Sequence, residues 1–261
     1  MKKNSTIKVK ALAIRNAKEL LRDPVSYIFA LGFPVAMLII MTIVNESIPK
    51  EAGLEIFQIN NLAPGIVVFG LTFIMQFTTI LLSKDRSGSF LNRMYCAPMG
   101  PSEFLEGYTV PVFVLAVAQI IVTYIGAEVV SLIATGQLVS LGGALASIVF
   151  LIPTIILFIS LGLVFGGLFS EKAAPGVSSI LITVAGILGG IWMDVKSIGG
   201  VILTCSQVLP FYPATYVTRS CINGTIGQDD FWMNLAITVI YALVAFILGC
   251  MIFKKNMKKE K

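Results

Sequence analysis

The sequence predicts an all-α integral membrane protein. It should have six transmembrane helices, an N-terminal amphipathic interfacial helix, a short cytoplasmic helix between the second and third spans, and an outer re-entrant hairpin after the fifth. Three observations carry this. Apolar residues make up 56% of the 261-residue chain and charged ones 13%, about half the 25% usual in soluble domains. The apolar residues come in runs near the ~20 needed to cross about 30 Å of hydrocarbon. Finally, 16 of the 19 Lys and Arg residues fall before the first run, in 83–108, at Lys172 or in the tail, and only Lys50, Lys196 and Arg219 fall on the other side. The positive-inside rule then puts both termini in the cytoplasm of a multi-pass protein of the cell membrane, as an even number of spans requires.

Residues 1–25 form the first segment. In "STIKVKALAIRNAKELLRD", residues 5–23, Ile7, Val9, Ala13, Ile14, Ala17, Leu20 and Leu21 gather on one side of a helical wheel, and Lys8, Arg15, Glu19 and Arg22 on the other. A basic amphipathic helix of this kind lies in the headgroup plane; the bland reading is a basic tail that only sets orientation. Asp23-Pro24 ends it, because the residue before proline avoids the helical region. The first 24 residues lack a short apolar core followed by a small-residue cleavage site, so no cleavable signal peptide is expected.

The transmembrane domain is read as 26–253, with spans at about 26–44, 62–82, 109–134, 142–169, 176–193 and 232–253, and a basic cytoplasmic tail at 254–261. The fifth span is short, carries Gly186, Gly189 and Gly190, and stops at Asp194. After it "SIGGVILTCSQVL", 197–209, is apolar but too short to cross, so 194–231 reads as an outer re-entrant or interfacial hairpin. A single bent helix from 177 to 209 is the alternative, opposed by Asp194, Lys196 and two Gly pairs. Gly162, Gly166 and Gly167 in the fourth span read as close helix packing, with a gating hinge as the other possibility.

Several chemistries lack their tools. The chain has no histidine, the commonest metal ligand and general base. Cys96, Cys205, Cys221 and Cys250 have no metal-ligand spacing; Cys205 and Cys221 could share a compartment, with free thiols preferred. There is no phosphate-binding GxxxxGK[ST] loop, no HExxH and no GxSxG, so neither ATP binding nor intramembrane hydrolysis is expected in this chain. No cofactor or metal is expected. Glu128 is the one carboxylate inside a span, a candidate for a substrate path or for a structural pair with Arg219 or Lys196 near the outer edge. Gln76 and Gln119 are weaker path candidates that also suit helix–helix hydrogen bonds.

Between the second and third spans lies "SKDRSGSFLNRMYCAPMGPSEFLEGY", residues 83–108, a polar island in an apolar chain. From Asp85 to Cys96 the pattern supports a short helix, with Phe90, Leu91, Met94 and Tyr95 on one side and Arg86, Ser89, Asn92 and Arg93 on the other. Pro98 ends it, and Pro101-Ser102-Glu103 starts the next turn. An apolar knob with basic flanks suits a groove on a partner; it equally suits a connector resting on the membrane.

"KDRSGSFLNRMYCAPMGPSEFLEGY" is similar to the cytoplasmic loop of type-2 ABC transporter permeases, the membrane subunits of many bacterial exporters. Asp85, Arg86, Gly88, Ser89, Arg93, Met94, Ala97, Pro98 and Met99 match that loop's pattern in order. Ser87 departs from it, since an acid is common there. "LLRDP", the broken fifth span, "LPFYPATYVTRSCINGT" and the basic tail extend the resemblance over the whole chain. The resemblance implies that 83–108 is a coupling helix seated in a separate ATP-binding subunit, which binds ATP and Mg. It implies that two permeases, identical or paralogous, pair in the membrane. Phe90, Leu91 and Met94 would then be the knob, with Asp85, Arg86 and Arg93 as rim charges and Gly88 and Pro98 among the coupling residues. The expected cargo is amphipathic or hydrophobic (drug, antibiotic, lipid or peptide). The rivals are a self-sufficient secondary carrier or channel, a polysaccharide-type exporter permease and a membrane-embedded enzyme.

Overall fold

The computed structural model describes residues 2–48, 55–88, 90–91, 99–134, 136, 138–228 and 230–259. Among these the regular structure is all helical. The long helices are α1 (Lys2–Leu21), α2 (Phe33–Ser47), α3 (Ile59–Ser87), α4 (Pro101–Ala134), α5 (Leu141–Phe150), α6 (Ile152–Leu168), α7 (Ala174–Leu188), α8 (Gly200–Val208), α9 (Phe211–Ile222) and α10 (Phe231–Lys259).

The centre of the bundle is α3. Its apolar window is 89% buried, against 17% for Ile28–Ser47 and 22% for Phe231–Asn256. It packs against α2, α4, α6, α7 and α9, while α10 lies outside α6. The most extensive of these contacts is α3 on α6, and glycine makes it possible. A Cβ on Gly162 would lie 2.5 Å from the Thr78 Cβ and 2.6 Å from the Met75 carbonyl oxygen. One turn on, a Cβ on Gly166 would lie 2.8 Å from the Leu82 Cβ. Small residues four apart let two backbones meet where no water is present to drive burial. The hydroxyls of Thr72, Thr78, Thr79 and Ser83 on α3 donate to carbonyls three or four residues back, so none of them needs a solvent partner.

Prolines shape two of the predicted spans. Pro34 has no N–H for the carbonyl of Ala30, and the chain answers with a π-helical turn, Ile28–Gly32, in which Phe33 N–H donates to Ile28. Pro153, at the start of α6, likewise withholds a donor from Val149. Here the predicted fourth span, 142–169, divides into α5 and α6, bent by 46°. The predicted fifth span, 176–193, is the 15-residue α7, about 22 Å long and short of the ~30 Å core. Among the described residues, hydropathy's six spans are therefore four long apolar helices, one broken pair and one short apolar helix.

After α7 the chain does not continue as one bent helix. Gly189 caps α7, and Gly190 takes a positive φ of 65°. Asp194 then caps a single turn, Val195–Ile198, by accepting from Lys196 N–H. Gly199 and Gly200, at φ 67° and 59°, reverse the chain into α8. Among its described residues the hairpin segment is thus three short helices, and α9 packs against α5 and α3.

Candidate functional site

The polar island of 83–108 begins and finishes in the ends of two long helices. α3 continues to Ser87, and α4 begins at Pro101, eight residues before the predicted span. Phe90 and Leu91 are helical, whereas 92–98, with Arg93, Met94 and Pro98, lie outside the described residues, as does Ser89. Gly88 is exposed and closes α3, its N–H donating to Lys84.

Asp85 is 3% exposed, which a rim charge would not be. It is held by three donors: Arg15 Nη1 at 2.5 Å, Arg15 Nη2 at 2.7 Å and the Tyr108 hydroxyl at 2.6 Å. A carboxylate carried into apolar surroundings stays charged only when its oxygens are satisfied in this way. The Arg15 guanidinium sits 4.1 Å from the Phe90 ring centroid, adding a cation–π contact worth about 0.5–2 kcal/mol. Glu19 accepts from both Arg15, at 2.5 Å, and Lys84, at 3.0 Å. Burial lowers the affinity of Arg15 for its proton, but the hydrogen bond and charge of Asp85 outweigh it, and the net direction is upward. Arg15 remains a cation at any physiological pH.

This brace is possible because α1 docks on α4 at one prepared place. Pro111 has no N–H, so the carbonyl of Gly107, four residues back, lacks its helical donor. Asn16 of α1, fully buried, donates to that carbonyl at 3.1 Å. Gly107 itself leaves room for Leu12, whose Cδ2 would stand 2.6 Å from a Cβ there. The buried side of α1 is Leu12, Ala13, Asn16 and Leu20; Ile7, Ile14 and Leu21 remain exposed. The wheel reading placed those last three with Ala13 and Leu20 on one face and overlooked Leu12 and Asn16.

Arg86 also turns inward. Its guanidinium donates to the Gly167 carbonyl and, at 2.6 Å, to that of Phe169. These carbonyls end α6, where a cation meets both orphan acceptors and the negative end of the helix dipole. Asn256 of α10 shares the Gly167 carbonyl at 2.9 Å. Ser87 donates to Glu171 at 2.8 Å, so the acid common in the resembling loops would here face a like charge. Leu91 is 1% exposed and belongs to the main core, with Phe90 packed at its margin. Asp85, Arg86, Phe90 and Leu91 thus bind the loop's base to α1, α4 and α6.

The three path candidates sit at separate contacts. Gln119 is fully buried, donates to Thr123 at 3.0 Å, and fills the space over Gly70; its Oε1 has no hydrogen-bond partner among the described residues. Glu128 accepts from Val139 N–H at 3.0 Å, tying down the turn after α4, and Arg219 instead bonds Asn61 and Gly190. Gln76 is half-buried on α3. Cys205, Cys221 and Cys250 are free thiols. Arg15, Asn16 and Tyr108 were not singled out as site residues by the sequence; the signal for them was Pro111 four residues after Gly107.

The arrangement defines a class: a multi-helix membrane protein whose inter-span polar loop is rooted in a buried ionic joint. Comparison with known proteins sharpens this. Residues 7–223 match the family model described as "ABC-2 type transporter", and the chain belongs to that family as a permease. It is also similar to a protein of Bacillus subtilis (strain 168) named "Putative transport permease YvfS", at 21% identity over 245 residues, covering 94% of this chain and 96% of the relative.

Proposed function

We propose that this permease is the membrane subunit of an ATP-driven exporter, coupled through 83–108 to a separate ATP-binding subunit. The observation that carries the proposal is the Arg15–Asp85–Tyr108 joint. It makes the ends of α1, α3 and α4 one mechanical unit at the root of the loop. A partner that grips 92–98 differently in two states would move three helices together, and ATP contributes in proportion to that difference in affinity. In this reading Met94 and Arg93 make the contact, while Asp85 and Arg86 hold the base. Two copies, or a copy and a paralogue, form the path for an amphipathic or hydrophobic cargo. Six spans cross the cell membrane, the fifth at 176–193 followed by the outer 194–231 hairpin, and both termini are cytoplasmic. ATP and Mg are held by the partner, and this chain hydrolyses nothing.

The rival secondary carrier needs a titratable group in the bilayer for its coupling ion. Glu128, its candidate, is engaged with the Val139 N–H. The two readings separate in inverted vesicles carrying this chain with its partner subunits, with an amphipathic dye supplied outside. Uptake should require ATP and persist when ionophores collapse the ion gradients. Uptake driven by a gradient without ATP would refute the exporter reading.

A further inference from the structure

Along α3, Asn61 and Asp85 are 24 residues, or about 36 Å, apart, so the surroundings of Asn61 form the end of the bundle remote from the ionic joint. A cavity of about 280 Å³ opens there, lined among others by Asn61, Asp194, Lys196, Tyr212, Tyr216 and Arg219. Arg219 Nε donates to the Asn61 carbonyl at 3.0 Å and Nη2 to the Gly190 carbonyl at 2.9 Å. Gly190 offers that carbonyl from a positive φ of 65°, which other residues rarely adopt. Both partners are neutral. Nη1 has no bonded partner among the described residues, and Arg219 keeps some exposed surface on the cavity.

The carboxylate nearest to hand is already occupied. Asp194 accepts from Lys196 N–H at 3.0 Å and from the Ser197 hydroxyl, and these bonds hold its proton affinity below the usual carboxylate range, the serine contributing most. It acts on Arg219 through charge alone, and burial still pushes the guanidinium down to about 10. Lys196 is exposed and its Nζ lies 5.3 Å from the Tyr216 ring centroid. Among the described residues the lining therefore carries two cations against one carboxylate. Asp230 stands outside the lining, within electrostatic reach of Tyr212.

Four residues beyond Lys196 the chain enters α8, whose Val201 and Val208 are 79% and 59% exposed. A cationic pocket of head-group size thus borders an open apolar helix. We propose that this cavity binds the anionic head group of an amphiphile, a phosphate diester or carboxylate, whose apolar tail runs along α8. Arg219 Nη1 and Lys196 Nζ supply the charged donors, and the phenol rings of Tyr212 and Tyr216 wall the pocket. At this volume the pocket is below the range of drug-sized sites, so it takes the head of a molecule and not the whole. The site needs no ATP-binding partner, and its test is independent of the exporter reading.

The test is retention of nitrobenzoxadiazole-labelled phosphatidylglycerol or phosphatidylcholine by the full chain in phosphatidylcholine nanodiscs, with and without millimolar inorganic phosphate. The expected result is about tenfold preference for the anionic lipid, unaffected by phosphate. Lys196→Gln and Arg219→Gln should each lower that preference by about threefold or more. Lys196 is exposed, so its variant reports on binding even where Arg219→Gln impairs folding. Displacement of the lipid by phosphate would overturn the amphiphile assignment in favour of a free oxyanion. Equal retention of the two lipids, or a preference unchanged in Lys196→Gln, would overturn the site.

Discussion

Arg15 and Asp85, 70 residues apart in sequence, meet in a two-pronged ion pair, with both guanidinium Nη atoms on the two carboxylate oxygens at 2.5 and 2.7 Å. Asp85 is buried and Arg15 one-third exposed. The pair therefore lies between the exposed case, worth under ~1 kcal/mol, and the buried case, where loss of one partner costs ~3–5 kcal/mol. Its value to function is geometric. It fastens an amphipathic helix to the last turn of the central helix, beside the 83–108 loop.

Removing either partner should lower stability by about 1–3 kcal/mol, with the larger effect for Arg15→Ala, which leaves Asp85 buried with Tyr108 as its one remaining hydrogen-bond partner of the three. Asp85→Asn keeps the shape and removes the charge. A double-mutant cycle on the thermal unfolding midpoint of the purified chain should show strong non-additivity between the two positions. Additive effects would mean that the pair does not act as a joint.

The contact of α3 with α6 should be intolerant of any side chain on its glycines. Gly162→Ala and Gly166→Ala place a Cβ within 2.5–2.9 Å of Thr78, Met75, Leu82 or Thr79, at a cost of about 1–3 kcal/mol each. Gly142→Ala is the control: it lies on α5 with nothing within 4 Å, and it should be neutral or stabilising by up to about 1 kcal/mol. Monodisperse yield after membrane extraction ranks the three.

Much of this was legible in the sequence, because a bilayer leaves few options. The apolar runs, the amphipathic start and the interrupted segment after α7 all follow from hydropathy, Gly and Pro. Lengths were less legible. α3 and α4 continue beyond their apolar windows through Ser87 and from Pro101, since helical hydrogen bonding does not stop where lipid stops. The charges of the loop were read as outward-facing, because pattern alone cannot see α1 folding back 70 residues to meet Asp85. Gly107 and Pro111 carried that information, through a carbonyl that only a distant donor could satisfy. Arg219 was read as a candidate partner of Glu128, whereas its acceptors are backbone carbonyls that no side-chain pattern encodes.

The two thiols near the hairpin should react very differently. Cys205 is exposed on α8, whereas Cys221 is buried on α9 and burial pushes its thiol up to about 11. At pH 8 the Cys221 thiolate is about one part in a thousand, so its labelling should be slow and should speed up as pH rises toward 11. In single-cysteine variants on intact cells, an impermeant maleimide should label Cys205 quickly and Cys221 hardly at all. Labelling of Cys205 only after the membrane is opened would reverse the assigned orientation.

The central claim is that 83–108 is the contact with a separate ATP-binding subunit. The most direct measurement places the photocross-linking amino acid p-benzoylphenylalanine at Met94, and in a second variant at Ile133, 82% exposed at the far end of α4. Both are irradiated in native membranes. The account predicts capture of an ATP-binding subunit from position 94 and none from position 133. Capture from neither position, or from 133 alone, would contradict it.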